Sequence, residues 1–399
     1  MNKQPLSFPK GFYWGTATSA HQVEGGLIND WSEWEKSERR LAYLKGKNLD
    51  PLEYQSGLAA NSWEHLEDDI TCIKELNNNA YRFSLDWSRI EAEEGKFNEA
   101  VIEKYHSFIK RLKEENIEPF VTLWHWPVPL WLRDKGGWEN KNIVSYFERF
   151  TKKIVESFPE VKFWLTLNEP NVYAGKSYLE GSWPPEKKSL FLYFRVTHNL
   201  IKAHKAAYTL IKKIKPSSQV GIVSNLIDFD SAGGPINNFL AMLAHWLWND
   251  YFLKRIKNHN DIIGVNFYFH NRVNYGFSKN KNEKVSDMGW ELYPQSIKAV
   301  LLSIKKYNKP MYITENGLAD NKDVNRAWYI TEVLRSLAEA IQEGADVRGY
   351  FHWSLLDNFE WAEGFGMKFG LFSIDRKTWK RIARPSTKVY AEIAKHNQV

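Results

Sequence analysis

Eight short runs rich in β-branched and aromatic residues recur along this 399-residue chain, each separated from the next by a longer stretch of helical period. They cover 12–19, 80–86, 118–124, 161–169, 219–225, 261–268, 310–316 and 347–355. Segments such as PFVTLW, FWLTL, VGIV, IIGVNFY and MYIT are almost continuously apolar, as strands are when both faces are covered and the pairing is parallel. Amphipathic stretches follow them at 61–77, 98–115, 142–158, 195–215, 236–256, 290–307, 324–343 and 384–396. Asn98 with Glu99 behind it reads as a helix cap, and the 195–215 segment stops against Pro216. Strict alternation of eight strands and eight helices predicts an α/β fold, a (β/α)8 TIM barrel in one domain over 1–399. A doubly wound sheet is the weaker alternative. No Gly-x-Gly-x-x-Gly follows the first run, and Gly25–Gly26 leads into a loop.

In a barrel the reacting groups come from the C-terminal strand ends. Those ends carry Arg82, then Trp124, His125 and Trp126, Asn168 and Glu169, Asn266 and Tyr268, Glu315 and Asn316, and Trp353. Glu169 in TLNEP and Glu315 in ITENG stand on strands four and seven, across the ring from each other. Two carboxyl groups facing across a mouth can flank one bond, the layout of glycoside cleavage; a separation of ~5 Å serves retention and ~6.5–9.5 Å inversion, and both remain open at this point. A single Glu at a strand end often only accepts hydrogen bonds from the next helix. Here there are two, each beside an Asn and followed by chain-turning Pro170 or Gly317.

Trp (18) nearly equals Tyr (19) in number, and indole faces pack well on the C–H surfaces of sugars. WSLLDNFEWAEG and WHWPVPLWL place Trp353, Glu360, Trp361, Trp124 and Trp126 near the rim, whereas Trp131 and Trp164 read as core. His198 and His204 are six apart, which puts them on different helix faces and indicates no metal site. His245 reads as a helix-packing residue, and Ser19, Ser84 and Ser354 lack a Gly-x-Ser-x-Gly elbow. The net charge of +6 sits in Lys-rich helical stretches at 202–215 and 298–309, which read as solvated faces and point to no nucleic-acid partner. The single cysteine, Cys72, excludes an internal disulfide. No apolar run of signal length occurs in 1–11 and no stretch of 18 apolar residues anywhere, so a cytoplasmic protein with no membrane contact is expected. Nothing in the pattern specifies an oligomeric state.

The motifs resemble those of glycoside hydrolase family 1, the retaining β-glucosidase and β-galactosidase family, from Phe8 to about Ile393. FPKGFYWGTATSAHQVEG looks like its N-terminal signature, YRFSLDWSRI its second-strand motif, TLNEPN its acid/base motif, YITENG its nucleophile motif and WSLLDNFEWAEGF its sugar-binding segment. The resemblance implies Glu315 as nucleophile and Glu169 as general acid and then base, with Arg82 and Tyr268 hydrogen-bonding the nucleophile. It implies Asn168 on the hydroxyl beside the reacting carbon, Gln22, His125, Glu360 and Trp361 on the other glycone hydroxyls, and Trp126 as a substrate-binding residue near them. Trp353 would be the stacking floor and Asn266 an accessory hydrogen-bonder. The implied substrate is a small-molecule β-glycoside or disaccharide, with no metal or organic cofactor. Members that take 6-phosphorylated sugars carry a small residue where this chain has Glu360, so an unphosphorylated glycone is favoured. The chain is also shorter than most of the family, with the shortage between Asn225 and Asp261, which predicts a more open cleft. His125-Trp126-Pro127 departs from the commoner acidic residue after Trp.

Overall fold

The apolar runs become eight parallel strands: β1 (Tyr13–Ala17), β2 (Ala80–Ser84), β3 (Glu118–Trp124), β4 (Phe163–Asn168), β5 (Gln219–Ser231), β6 (Ile262–Val273), β7 (Met311–Asn316) and β8 (Val347–Trp353). They close in sequence order, β8 pairing with β1 from Gly349 against Tyr13 to Trp353 against Ala17. This is a computed structural model that describes residues 4–399; residues 1–3, part of the N-terminal stretch 1–11 and of the predicted domain span, lie outside the described residues.

The lower half of the barrel is filled by rings. Tyr13, Phe120, Phe163, Tyr312 and Phe351 pack together, with Phe120 and Phe163 stacked at 4.0 Å and 9°. Two residues further along the strands of Phe120 and Tyr312 come Thr122 and Thr314, both fully buried, so polar chemistry begins where the aromatic plug ends. Outside the strands a continuous apolar layer, with Ile73, Leu112, Phe150, Ile211 and Leu337 in it, receives the helices. Each such side chain contributes roughly 1.5–3 kcal/mol by burial. Cys72 is buried in the helix Leu66–Glu75. Among the described residues no helix is long and apolar enough to cross a membrane.

Three departures from the periodic reading concern the rim. β5 and β6 run beyond the barrel as a parallel ribbon, paired from Ile227 against Phe269 to Ser231 against Val273. The predicted 236–256 helix runs without a gap from Pro235 to Ile256 but carries a π turn, Trp246–Asp250, in its middle. The predicted 290–307 helix shrinks to Ser296–Ile304 with a 3-10 turn Lys305–Tyr307, because Pro294 disfavours helical geometry in the residue before it. Between β1 and β2 the chain adds the short helices Ala20–Val23, Asp30–Glu35 and Glu38–Gly46. Asn29 starts the second of these, its side chain accepting from the Trp31 and Ser32 amides while the Ser32 hydroxyl serves the Asn29 amide.

Gly317 marks the tightest approach at the rim: a Cβ there would lie 1.8 Å from the Trp353 carbonyl oxygen. Both sides of that contact are backbone, so Gly317→Ala is expected to cost about 1–3 kcal/mol or more. Gly46→Ala, with open space around its Cβ, is expected to leave the thermal midpoint unchanged or higher. Equal midpoints for the two variants in a calorimetric scan would count against this reading of the rim.

Candidate active site

Arg82, the third residue of β2, points into the barrel above the aromatic plug and is 0% exposed. Its Nε donates to Thr122 Oγ1 (3.2 Å), Nη1 to the Thr314 carbonyl (3.1 Å) and to Glu315 Oε1 (2.5 Å), and Nη2 to Asn168 Oδ1 (2.6 Å). One guanidinium therefore ties β2 to β3, β4 and β7. Glu315 receives a second donor on its other oxygen, the Tyr268 hydroxyl from β6 at 2.9 Å.

Glu169 follows the last residue of β4 in a left-handed conformation (φ 43°, ψ 57°) and caps the helix Pro170–Ala174. Its amide donates to the Val223 carbonyl at 2.9 Å, and Pro170 is preset for a first helical position. Its carboxyl meets no cation directly. Instead Asn225 Nδ2 and Asn266 Nδ2 each donate to Oε1 at 2.9 Å. Asn266 is held by Thr314 Oγ1 (2.8 Å) and also reaches Asn168 Oδ1 at 3.3 Å.

Aromatic rings close one end of the cavity. His125 lies nearly parallel to Trp353 (6.1 Å, 22°) and to Trp361 (6.0 Å, 13°), and Trp361 stacks on His21 at 5.4 Å. His21 is fixed by Glu35 at 2.8 Å. Trp126 packs at 4.6 Å on both Trp361 and Trp183, with its indole N–H on the Asn168 carbonyl at 3.0 Å. Gln22 takes a hydrogen bond from Ser19 (2.7 Å) and donates to Asn358 (3.1 Å) and Glu360 Oε2 (3.2 Å). Because Asn168 Oδ1 accepts from Arg82, its Nδ2 donates to His125 Nε2 at 3.0 Å. This places the imidazole proton on Nδ1, which is buried without a partner among the described residues.

The cavity encloses about 570 Å³. Of the twelve residues singled out from the sequence, nine line it; Arg82, Asn168 and Asn266 lie beneath its floor. Trp124 is a correction: it packs on Trp138 and Tyr173 (4.7 and 4.9 Å), away from the cavity. Trp164 is core, as read, and Trp131 is half-buried with its N–H on the Glu91 carbonyl. His204 is held by Thr166 and the His259 carbonyl. Among the described residues no group of three His, Cys, Asp or Glu is arranged to hold a metal ion.

A sequence profile of glycosyl hydrolase family 1 matches residues 4–231 and 237–399. The chain belongs to glycosyl hydrolase family 1. It is 33% identical to beta-glucosidase A of Thermotoga maritima, with 98% of each chain covered. It is 32% identical to a 1,4-beta-D-glucan glucohydrolase of Thermotoga neapolitana, again over 98% of each, along 443 aligned positions that exceed the 399 residues here. A solved beta-glycosidase from Pyrococcus horikoshii superposes with a TM-score of 0.90 at 38% identity, covering 99% of this chain and 96% of that one. The Thermotoga maritima beta-glucosidase in complex with deoxynojirimycin gives 0.89 at 32% identity, covering 98% and 99%. The chain is thus a family 1 glycoside hydrolase of the β-glucosidase type.

Of three carboxyl groups in this family 1 cavity, Glu169 and Glu315 are buried and Glu360 is half-buried. Burial lifts Glu169, the neighbouring Glu315 charge adds to it, and the carboxyl is pushed up to about 8 against the pull of Asn225 and Asn266. Glu360 is likewise pushed up to about 8, by burial and then by Glu315. Burial also raises Glu315, but Arg82 and Tyr268 oppose it directly. Glu315 alone touches the cation, so it ionises first of the three. His125 is held well below its ordinary value by burial and by Arg82 and stays neutral.

Asn225, Trp183 and Trp290 also line the cavity and were not singled out from the sequence. Asn225 does end an apolar run, the signal that found its counterparts; Trp183 arrives on a loop without periodicity, and Trp290 stands on a loop where the pattern predicts a helix start. Asn225→Ala removes a donor that favours the charged form of Glu169, so its titration is expected to move above 8. The carboxyl stretch in infrared difference spectra reads this, and a downward movement or none would contradict the assignment.

Proposed function

We propose that this chain is an exo-acting, retaining β-glycosidase. It removes terminal unphosphorylated β-D-glucosyl residues, and β-D-galactosyl or β-D-fucosyl residues with them, from small-molecule β-glycosides and disaccharides. The observation that carries the reading is the unequal setting of the two carboxyls. Glu315 is paired with Arg82 and Tyr268, while Glu169 has two amides and is pushed up to about 8.

An ionised Glu315 attacks the anomeric carbon as protonated Glu169 gives its proton to the departing oxygen, leaving a glycosyl ester on Glu315. Water then yields a proton to the Glu169 carboxylate and attacks the same carbon. The C–O bond to Glu315 breaks and both groups return to their starting states. Trp353 supplies the floor for the ring, and Asn168, with its amide orientation locked by Arg82, stands at the hydroxyl next to the reacting carbon. Gln22, His125, Glu360 and Trp361 hold the others, with Trp126 packed on Trp361 and its N–H taken by the Asn168 carbonyl. A protonated Glu360 beside the Gln22 amide offers donors and acceptors together, which suits either orientation of one hydroxyl and hence glucose or galactose. Among the described residues the one Lys or Arg lining the cavity, Lys176, is paired with Glu180 at 2.6 Å, so a phosphorylated glycone lacks a counter-charge. The reading places the whole apparatus on one barrel domain and the protein in the cytoplasm, consistent with its single free cysteine.

Aryl β-glucoside hydrolysis tests the assignment. Glu315→Ala is expected to lose on the order of 10³-fold or more in kcat, and added azide to restore turnover with the α-glycosyl azide as product. Full activity in that variant would sink the mechanism. A second test is pH dependence. Glu169 is competent while protonated, so kcat/KM should fall as pH rises through about 8. The acid limb should lie above that of an ordinary glutamate, because Glu315 is raised. Glu169→Gln assayed with a leaving group that needs no proton should lose the alkaline limb; an unaltered limb would assign it to another group.

A further inference from the structure

The helix Pro235–His245 lies against the parallel ribbon that extends β5 and β6 beyond the barrel, and its two faces are inverted. The side turned to the protein carries Asn237 and Ala241, followed by Asn249 in the π turn, all three buried. Asn237 accepts from the Tyr275 amide (2.7 Å) and donates to the Gly233 carbonyl (2.8 Å). Asn249 accepts from the Ile227 amide (3.0 Å) and donates to the Ile227 carbonyl (2.8 Å). The side turned to solvent carries Ile236, Phe239, Met242, Leu243, Trp246 and Leu247, each 38–62% exposed. Their three- and four-residue spacing makes them one stripe, and a surface helix ordinarily turns such a stripe to the core. Rotating the helix to bury it would break all four of the asparagine hydrogen bonds. Tyr275, 77% exposed, is fastened beside the start of the stripe by its amide on Asn237. From Pro235 to Trp248 there is no Asp, Glu, Lys or Arg, in a chain that is 26% charged.

We propose that this stripe is a homodimer interface, in which the helix packs on its own counterpart in a second copy of the chain. At about 200 Å² for a fully exposed side chain of this size, the stripe and Tyr275 present roughly 750 Å² of surface. That exceeds the ~300–600 Å² of the largest patch on an ordinary monomer and approaches the ~800 Å² that each partner gives to a standard interface. Homodimer contacts are the most apolar class, rich in aromatic residues and Met and poor in charge, which is the composition of this face. An uncharged face meets its own copy with no like-charge repulsion, and a two-fold axis is the commonest way to cover one. A helix lying on lipid instead carries Lys and Arg along its borders for the headgroups, and this one has neither.

Sedimentation velocity of the full chain at about 1–100 µM tests the interface. Wild type is expected to sediment at twice the 46.8 kDa mass of one chain. Phe239→Glu and Trp246→Glu each put a charge into the stripe twice across the axis and should weaken the dimer at least about tenfold; the double substitution should leave monomer throughout. Both side chains face solvent in the single chain, so the circular dichroism of the variants should match wild type. Leu52→Glu, at a 68% exposed apolar position outside the stripe, should leave the dimer intact. Monomeric wild type at the top of the range, or a dimer that survives the double substitution, overturns the proposal. Monomeric wild type that floats with phosphatidylglycerol vesicles also overturns it and assigns the stripe to a lipid surface.

Discussion

The site depends on one buried cation. A guanidinium with no solvent exposure is costly unless each face of it is matched, and Arg82 is matched by two threonine-bearing strands, an amide and a carboxylate. These partners come from β3, β4 and β7, segments far apart in sequence, so they are in place only once the barrel is closed. The aromatic plug beneath excludes water from below, and the resulting low-polarity setting makes each charge on the rim sensitive to its neighbours. With a single guanidinium among Glu169, Glu315 and Glu360, the cavity favours one carboxylate. The contact at 2.5 Å selects Glu315 as that one.

The tryptophans divide by distance from this centre. Trp126, Trp183, Trp290, Trp353 and Trp361 line the cavity. Trp31 packs on Trp361 at 4.6 Å and Trp34 on Trp31 at 5.3 Å, so the short helices after β1 form a backing for the aromatic wall of the cavity. Trp87, Trp124, Trp138 and Trp164 are buried among helices and strands. Flat, stiff side chains stacked several deep hold a binding wall with little rotamer freedom to lose. Trp126 and Trp361 both adopt positive φ (87° and 50°), as does Glu169, so backbone conformations rare for such residues gather at this site.

The strands were legible because both of their faces are covered, which leaves runs of apolar residues with a polar one at the end; Glu169 and Glu315 stand at such ends, and Asn266 is the one polar side chain within IIGVNFY short of the terminal Tyr268. The helices were legible only where one face is buried throughout. The 290–307 stretch had the apolar content but begins with rim residues: Trp290 packs on Phe269 at 4.6 Å and lines the cavity, so its apolar character belongs to the site and not to a helix face. The extension of β5 and β6 was hidden for a related reason. Beyond the barrel the ribbon is only partly covered, and LIDFDS and FHNRV mix polar and apolar residues. Asn225 shows the other limit. Its position at a strand end was visible, but its bearing on Glu169 depends on β4 and β5 being neighbours in the closed ring, which a linear pattern shows only after the topology is assumed.

The same electrostatic coupling that separates the two carboxyls accounts for how one group can serve both halves of the proposed reaction. While Glu315 is charged, it adds to the burial that keeps Glu169 protonated. Ester formation removes that charge and leaves Arg82 without its anion, so the second contribution to the raised value disappears and the guanidinium pulls in the opposite sense. Asn225 and Asn266, which favour the ionised form throughout, then face a weaker opponent. In the proposed reaction the acid thereby becomes a base. Its switch is the covalent state of a residue three strands away, carried by a cation that never leaves its place beneath both.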